Sequence, residues 1–428
     1  MITAISIIAG GIINRSLGPS GAGDYAELTS WVTIFIYVFG LSAATAIFHF
    51  SNQKDYPYTR GELLGSVVGL WALTAALTVL GLCAALIFWP QYFSANFRTH
   101  LAVVVIFIFS TTGLTLFTTL LKVDDSFRFL SIYTVGSQMM LLTGICLLAL
   151  FGRLNIAKLL LLSCGAQLLV VASSVFYFER LRPGWYPLRV NFDLIRKMVW
   201  AGLKVHVATV STLLYVKLDQ ILLYNMAGNA ETGIYAVAVN VTVGLLILPL
   251  AVQQVLYPRI INSVPENDAY ATIRVTRYTF FFFALCLVFV YFLADPLIAL
   301  YAGTAFQAST PLLRSLLAGT LLFSIPNLLS PYWVKKGYFL LASASALTLF
   351  VVNLLLNFLW IPRYGAKGSV WATNVTYFVG AVVSLVVFYY LSHQNPLRIF
   401  IFTRQDAATL YKQFVLFMSK RRAVPESL

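Results

Sequence analysis

The apolar run 198–224 carries four ionisable residues, Lys204, His206, Lys217 and Asp219. On insertion scales a charge near the middle of a membrane helix costs about 2.5–3.5 kcal/mol, so it is expected to face a cavity or a partner rather than lipid. At 100° per residue, Lys204, Ser211, Tyr215 and Asp219 fall within about 80° of one another, whereas His206, Lys217 and Tyr224 collect on nearly the opposite face. Lys217 and Asp219 are two residues apart and do not face each other along the helix. The first stripe is read as lining a central hydrophilic cavity. The competing readings are structural. Lys204 would reach for the inner interface, Lys217 would bond a neighbouring helix, and Asp219 would bridge to Arg15 or to a backbone group.

Composition makes that run a membrane helix. Of the 428 residues, 60% are hydrophobic and 10% charged, against roughly 25% charged in soluble domains, and mean hydropathy is +0.83. Besides a short N-terminal stretch ending at Asn14, eleven apolar segments follow, at 28–50, 63–89, 100–121, 129–151, 156–178, 198–224, 232–256, 278–301, 311–334, 338–361 and 366–391. Most exceed the roughly 20 residues that span hydrocarbon as a helix, and no ten-residue alternation suggests a barrel. The expected class is an all-α polytopic membrane protein of about twelve helices, the first short or truncated.

The formal net charge of +14 comes from Lys and Arg in short loops between apolar runs, which points to membrane orientation and anionic lipid rather than nucleic acid. Cys83, Cys146, Cys164 and Cys286 all lie inside apolar runs without CxxC spacing. HExxH, GxxxxGK[ST] and GxSxG do not occur, and the four histidines form no ligand-spaced cluster. No catalytic residue, metal site or cofactor is expected.

The chain also repeats. Gly18, Gly23, Tyr25 and Ala26 recur as Gly228, Gly233, Tyr235 and Ala236, all at an offset of 210 that also pairs Arg153 with Arg363. Each copy is read as a turn joining the first two helices of a lobe, the first turn spanning 15–27. Two pseudo-symmetric six-helix lobes are therefore expected at 1–180 and 198–395, joined by a basic linker at 181–197 that carries Arg182, Arg189, Arg196 and Lys197. With the N-terminus inside, 20 of the 29 Lys and Arg residues fall in cytoplasmic loops and the tail, and 7 fall outside. That predicts N-in, C-in topology. The basic tail, 396–428, is expected to place Ala407, Leu410, Tyr411, Phe414, Phe417 and Met418 on one amphipathic helical face at the inner leaflet. Asn240, Asn353, Asn357 and Asn374 read as interhelical hydrogen-bonding groups. Pro249 and Pro326 read as possible helix breaks.

At this point the chain resembles the bacterial polysaccharide flippases of the multidrug/oligosaccharidyl-lipid/polysaccharide exporter superfamily. Arg15-Ser-Leu-Gly-Pro-Ser-Gly-Ala-Gly-Asp-Tyr25 is similar to their opening motif. Asp219 followed by Thr232-Gly233-Ile234-Tyr235 resembles the signature around their seventh helix, and Leu256-Tyr257-Pro258 fits the turn after the eighth. Asn353…Asn357…Ile361-Pro362-Arg363-Tyr364-Gly365 resembles a further motif, from which Lys367 and Ser369 depart. The resemblance implies a non-enzymatic flippase in the bacterial inner membrane. Its cargo would be an oligosaccharide linked to undecaprenyl pyrophosphate, carried by alternating access. Membrane lipids, a polysaccharide polymerase and a chain-length regulator would be its further partners. An anionic head group calls for cations, for which Arg15, Lys204 and Lys217 are the candidates, beside Ser211 and Tyr215. Asp219 is the candidate coupling group. The alternatives are a multidrug or other lipid-linked-substrate exporter of that superfamily, and a membrane-embedded polymerase or glycosyltransferase.

Overall fold

The structure, a computed structural model, describes residues 2–51, 58–182, 188–261, 268–401 and 406. Among these there are helices and no strands. In chain order the helices are α1 (Ile2–Phe39), α2 (Ala43–Ser51), α3 (Arg60–Phe88), α4 (Ala95–Thr99), α5 (Leu101–Val123), α6 (Phe127–Leu150), α7 (Ile156–Phe176) and α8 (Phe192–Ala227). There follow α9 (Asn229–Leu245), α10 (Ile247–Ile261), α11 (Asp268–Phe292), α12 (Ala294–Tyr301), α13 (Ser309–Lys335), α14 (Phe339–Tyr364) and α15 (Ala366–Ser392).

Among the described residues, ten helical stretches are long and apolar enough to cross a membrane, and the bent pair α1–α2 makes an eleventh. α1 is itself two helices, broken at Gly18 (φ 65°, ψ 179°). The arm before the break, 2–17, is shorter than the roughly 20 residues of a full span, in keeping with a short first helix. The protein is thus an all-α, multi-pass membrane protein. The tail helix expected at 407–418 lies outside the described residues, as does the middle of the basic linker.

Four breaks have local causes. The turn expected over 15–27 is confined to one residue, with helix on both sides of Gly18. Gly228, 210 residues later, breaks the chain between α8 and α9 in the same way (φ 91°, ψ 175°). Positive φ with extended ψ is essentially a glycine conformation, so the repeat read from sequence is also a repeat of backbone. The run 28–50 divides between α1 and α2, bent by 45°, where Leu41 (φ 53°) and Ser42 (φ 47°) are left-handed. His206 on α8 holds that bend. One ring nitrogen meets Ser42 Oγ at 3.2 Å and the other meets the Val38 carbonyl at 3.0 Å. α9 gives way to α10 at Leu246, just before Pro249, whose missing N–H leaves the Leu245 carbonyl without its helical donor. Pro326 leaves α13 continuous.

The chain forms two compact units. The larger comprises Met1–Leu245, Val290–Ala318 and Leu340–Thr376, and the smaller comprises Leu246–Phe289, Gly319–Phe339 and Tyr377–Leu428. In the larger unit, Leu64, Val67, Phe117 and Leu120 pack α3 and α5 against Ile47 of α2 and Met198 of α8. A second cluster joins Leu28 and Val32 of α1 to Leu82, Phe97 and Ile108. Glycines Gly65 and Gly69 let α3 lie against the chain at Arg189, Val190 and Ile195, as small residues do at membrane helix contacts. Asp124, beyond α5, is buried and takes Arg182 at 3.0 Å and Arg60 at 3.4 Å, so part of the basic linker is spent on structure. In the smaller unit, Ile273, Leu329, Trp333 and Phe388 form the core. Two ion pairs, Lys335–Asp268 and Arg277–Asp406, stitch it together.

Candidate functional site

α8 ends at Gly228 and α9 returns along it, which puts Tyr235 beside Asp219. The Tyr235 hydroxyl donates to one Asp219 oxygen, and the backbone N–H of Gln220 donates to the other at 2.7 Å. Both side chains are buried, Asp219 at 3% exposure and Tyr235 at 0%. No cation lies within ion-pair distance of Asp219 among the described residues. A carboxylate sealed off from water needs hydrogen bonds to remain tolerable, and here a phenol and an amide supply them.

The polar contacts extend in two directions. Tyr235 Oη reaches Thr373 Oγ1 of α15 at 3.4 Å, and Asn353 of α14 donates to Thr376 of α15 at 3.3 Å. Asn357 bonds the Asn353 carbonyl and side-chain oxygen, both at 2.9 Å, while its own Oδ1 is buried without a partner. Glu231 accepts the Ala366 N–H at 3.1 Å, capping α15 just past the left-handed Gly365. Toward α1, Gln220 accepts the Ser30 hydroxyl at 2.6 Å in a buried bond.

A second buried acidic group lies where α1 meets α8 and α9. Asp24 accepts from Tyr224 Oη at 2.7 Å, Asn96 Nδ2 at 2.7 Å and Asn229 Nδ2 at 3.3 Å. Glu27, fully buried, accepts the Ser94 hydroxyl at 2.9 Å. Between these bonds the two copies of the repeat touch through main chain. A Cβ on Gly23 would strike the Asn229 carbonyl, and one on Gly233 would strike the Pro19 carbonyl. Asn229 is Pro19 shifted by 210, so the contact is reciprocal.

Of the residues expected from sequence, Ser211, Tyr215 and Asp219 are buried together on one face of α8. Lys204 is exposed and Lys217 half-buried. Arg15 is not beside Asp219. Its Nη2 donates to the Ala299 and Leu300 carbonyls at 3.1 and 2.5 Å, at the end of α12. Tyr224, on the opposite face, meets Asp24. Sequence reasoning missed Asp24 and Glu27 as buried groups because it placed them in a loop. Tyr235 was in view as part of the repeat, with no sign that it would partner Asp219. Of the four asparagines read as interhelical groups, Asn353 bonds α15 and Asn374 bonds the Ser315 carbonyl at 2.8 Å, whereas Asn357 bonds within its own helix and Asn240 is exposed.

Residues 2–264 match the family described as polysaccharide biosynthesis protein. The chain belongs to that family. No curated protein sequence matches it. Among solved structures it resembles the lipid II flippase MurJ in an inward closed conformation, at 15% identity and TM-score 0.69, covering 100% of this chain and 92% of that one. It also resembles an inward-facing multidrug resistance MATE family transporter of the MOP superfamily, at 12% identity and TM-score 0.70, covering 91% and 94%. A MOP superfamily transporter from Pyrococcus furiosus matches at 12% identity and TM-score 0.62, covering 91% and 93%. At such identities the likeness is one of fold.

Proposed function

We propose that this protein is a flippase rather than an enzyme. It would carry an oligosaccharide linked to undecaprenyl pyrophosphate across the bacterial inner membrane by alternating access of two six-helix lobes, 1–180 and 198–395, with both termini inside. The observation that carries this reading is the match of residues 2–264 to a polysaccharide biosynthesis family in a chain with the fold of lipid and drug transporters. MurJ, by its name, is a flippase of lipid II, and the lysines of α8 suit a pyrophosphate better than an organic cation.

In this reading Lys204 and Lys217, on opposite faces of α8, both contribute to binding the anionic head group, and Ser211 and Tyr215 shape the wall on the Lys204 face. Asp219 is the coupling group. Its present bonds come from neutral donors, and neutral donors let a carboxyl take up a proton without breaking an ion pair. The experiment is transport of lipid-linked oligosaccharide in proteoliposomes at matched protein content. The Lys204→Ala/Lys217→Ala double variant is expected to lose most transport, and wild-type transport in that variant overturns the head-group assignment. Asp219→Asn is expected to abolish the dependence on a pH gradient. If transport and its pH dependence both survive, Asp219 is not the coupling group. Transport of organic cations in place of the lipid-linked sugar would select the multidrug exporter reading.

A further inference from the structure

An apolar groove of about 540 Å³ runs along the first arm of α1, walled by Ile7, Ile8 and Ile12 on that helix, by Val241 and Gly244 on α9, and by Leu300 on α12. The volume lies in the range of small-molecule sites. Two polar groups interrupt the hydrocarbon lining, Arg15 and Asn240. Both are exposed, as are Ile7 and Ile8 at 49% and 54%. From Ile7 to Arg15 the helix advances about 12 Å at 1.5 Å per residue, close to the roughly 15 Å of one hydrocarbon leaflet. Arg15 lies three residues from the Gly18 break, at the head-group end of that length. Ile7 and Gly244 lie at the deep end.

The guanidinium is held in place but not used up. Nη2 spends its donors on the two carbonyls that end α12, and the Nε and Nη1 donors have no partner among the described residues. Gly11 lets α1 approach the Tyr301 carbonyl, which fixes the arginine against the short helix. A fixed arginine at the mouth of a one-leaflet apolar groove is complementary to one kind of molecule, an acyl chain bearing a phosphate.

We propose that this groove is a binding site for an anionic phospholipid. One chain would lie between α1 and α9, the phosphate would sit on the Nε and Nη1 donors of Arg15, and the Asn240 amide would polarise the deep wall. By the Lys and Arg distribution the site belongs to the outer leaflet. It is a lipid site of the scaffold and does not depend on the identity of the cargo.

The test counts lipids retained by the purified full-length chain in native mass spectrometry, with phosphatidylglycerol and diacylglycerol of identical chains, the second lacking the phosphate, offered in competition. Wild type is expected to retain one phosphatidylglycerol in preference by about tenfold, the factor for one charge-assisted hydrogen bond. Arg15→Gln is expected to remove that preference. Gly244→Phe keeps the arginine and fills the groove. A Cβ there meets no atom within 4 Å, so the ring enters open space, and this variant is expected to lose the retained lipid altogether. The proposal fails if Arg15→Gln keeps the preference, or if Gly244→Phe retains as many lipids as wild type. Because transport is not measured, failure here leaves the flippase reading untouched, and the converse also holds.

Discussion

The two copies of the glycine turn share a backbone and differ in charge. Gly18 and Gly228 adopt the same positive-φ break, and Gly23 and Gly233 occupy equivalent places against each other's copy. The acids do not follow the repeat. Asp24 and Glu27 in the first copy correspond to Ile234 and Val237 in the second, and Asp219 in the second corresponds to Ala9 in the first. The tyrosines are conserved by the repeat but used differently, since Tyr235 donates to Asp219 and Tyr25 packs in an apolar cluster with Ile13 and Leu17. The backbone contact tolerates no variation because main chain meets main chain. The buried acids are free to differ because each is satisfied by its own set of side-chain or backbone donors.

Substitutions can break or sharpen this comparison, and the largest effect is expected at the shared backbone. Gly23→Leu and Gly233→Leu each push a side chain into the opposite copy's carbonyl. Both should cost about 3 kcal/mol or more, since main chain cannot step aside. Thermal unfolding of the purified protein should show equal losses, and tolerance of either one breaks the symmetry. Next, Gly18→Ala and Gly228→Ala should each cost about 1–2 kcal/mol from the left-handed backbone alone, again equally. The copies should then part company. Tyr235→Phe removes a donor from buried Asp219 and should cost about 1–3 kcal/mol, whereas Tyr25→Phe should stay within about 0.5 kcal/mol of wild type. The smallest effect is expected at Lys204→Ala, an exposed position, with a stability change below about 0.5 kcal/mol. A transport loss in that variant would therefore reflect binding rather than folding.

Much of the architecture was legible in sequence because it is written locally. Apolar length marks the spans, and a glycine at a fixed offset marks the break. The extent of each turn was not legible. A stretch containing Arg15, Asp24 and Glu27 looks like solvated loop by composition, yet Asp24 and Glu27 are buried in helix, with donors supplied from 94–96 and 224–229. Those donors are distant in sequence and leave no periodic signal. The α8 stripe was legible as a face, since helical geometry alone groups Ser211, Tyr215 and Asp219. The bridge from Asp219 to Arg15 fails for a similar reason. The arginine's partners are carbonyls of α12, and a backbone acceptor carries no residue identity to read.

The reciprocal glycine contact has a consequence for how this surface can change over generations and over milliseconds. A joint made of main chain has no rotamers to set, so closing it costs no side-chain entropy and needs no search among alternatives. Its fit also offers nothing to adjust, because the first atom added on either side already collides. Such a joint is kept whole or lost whole, and diversification is left to the side chains around it.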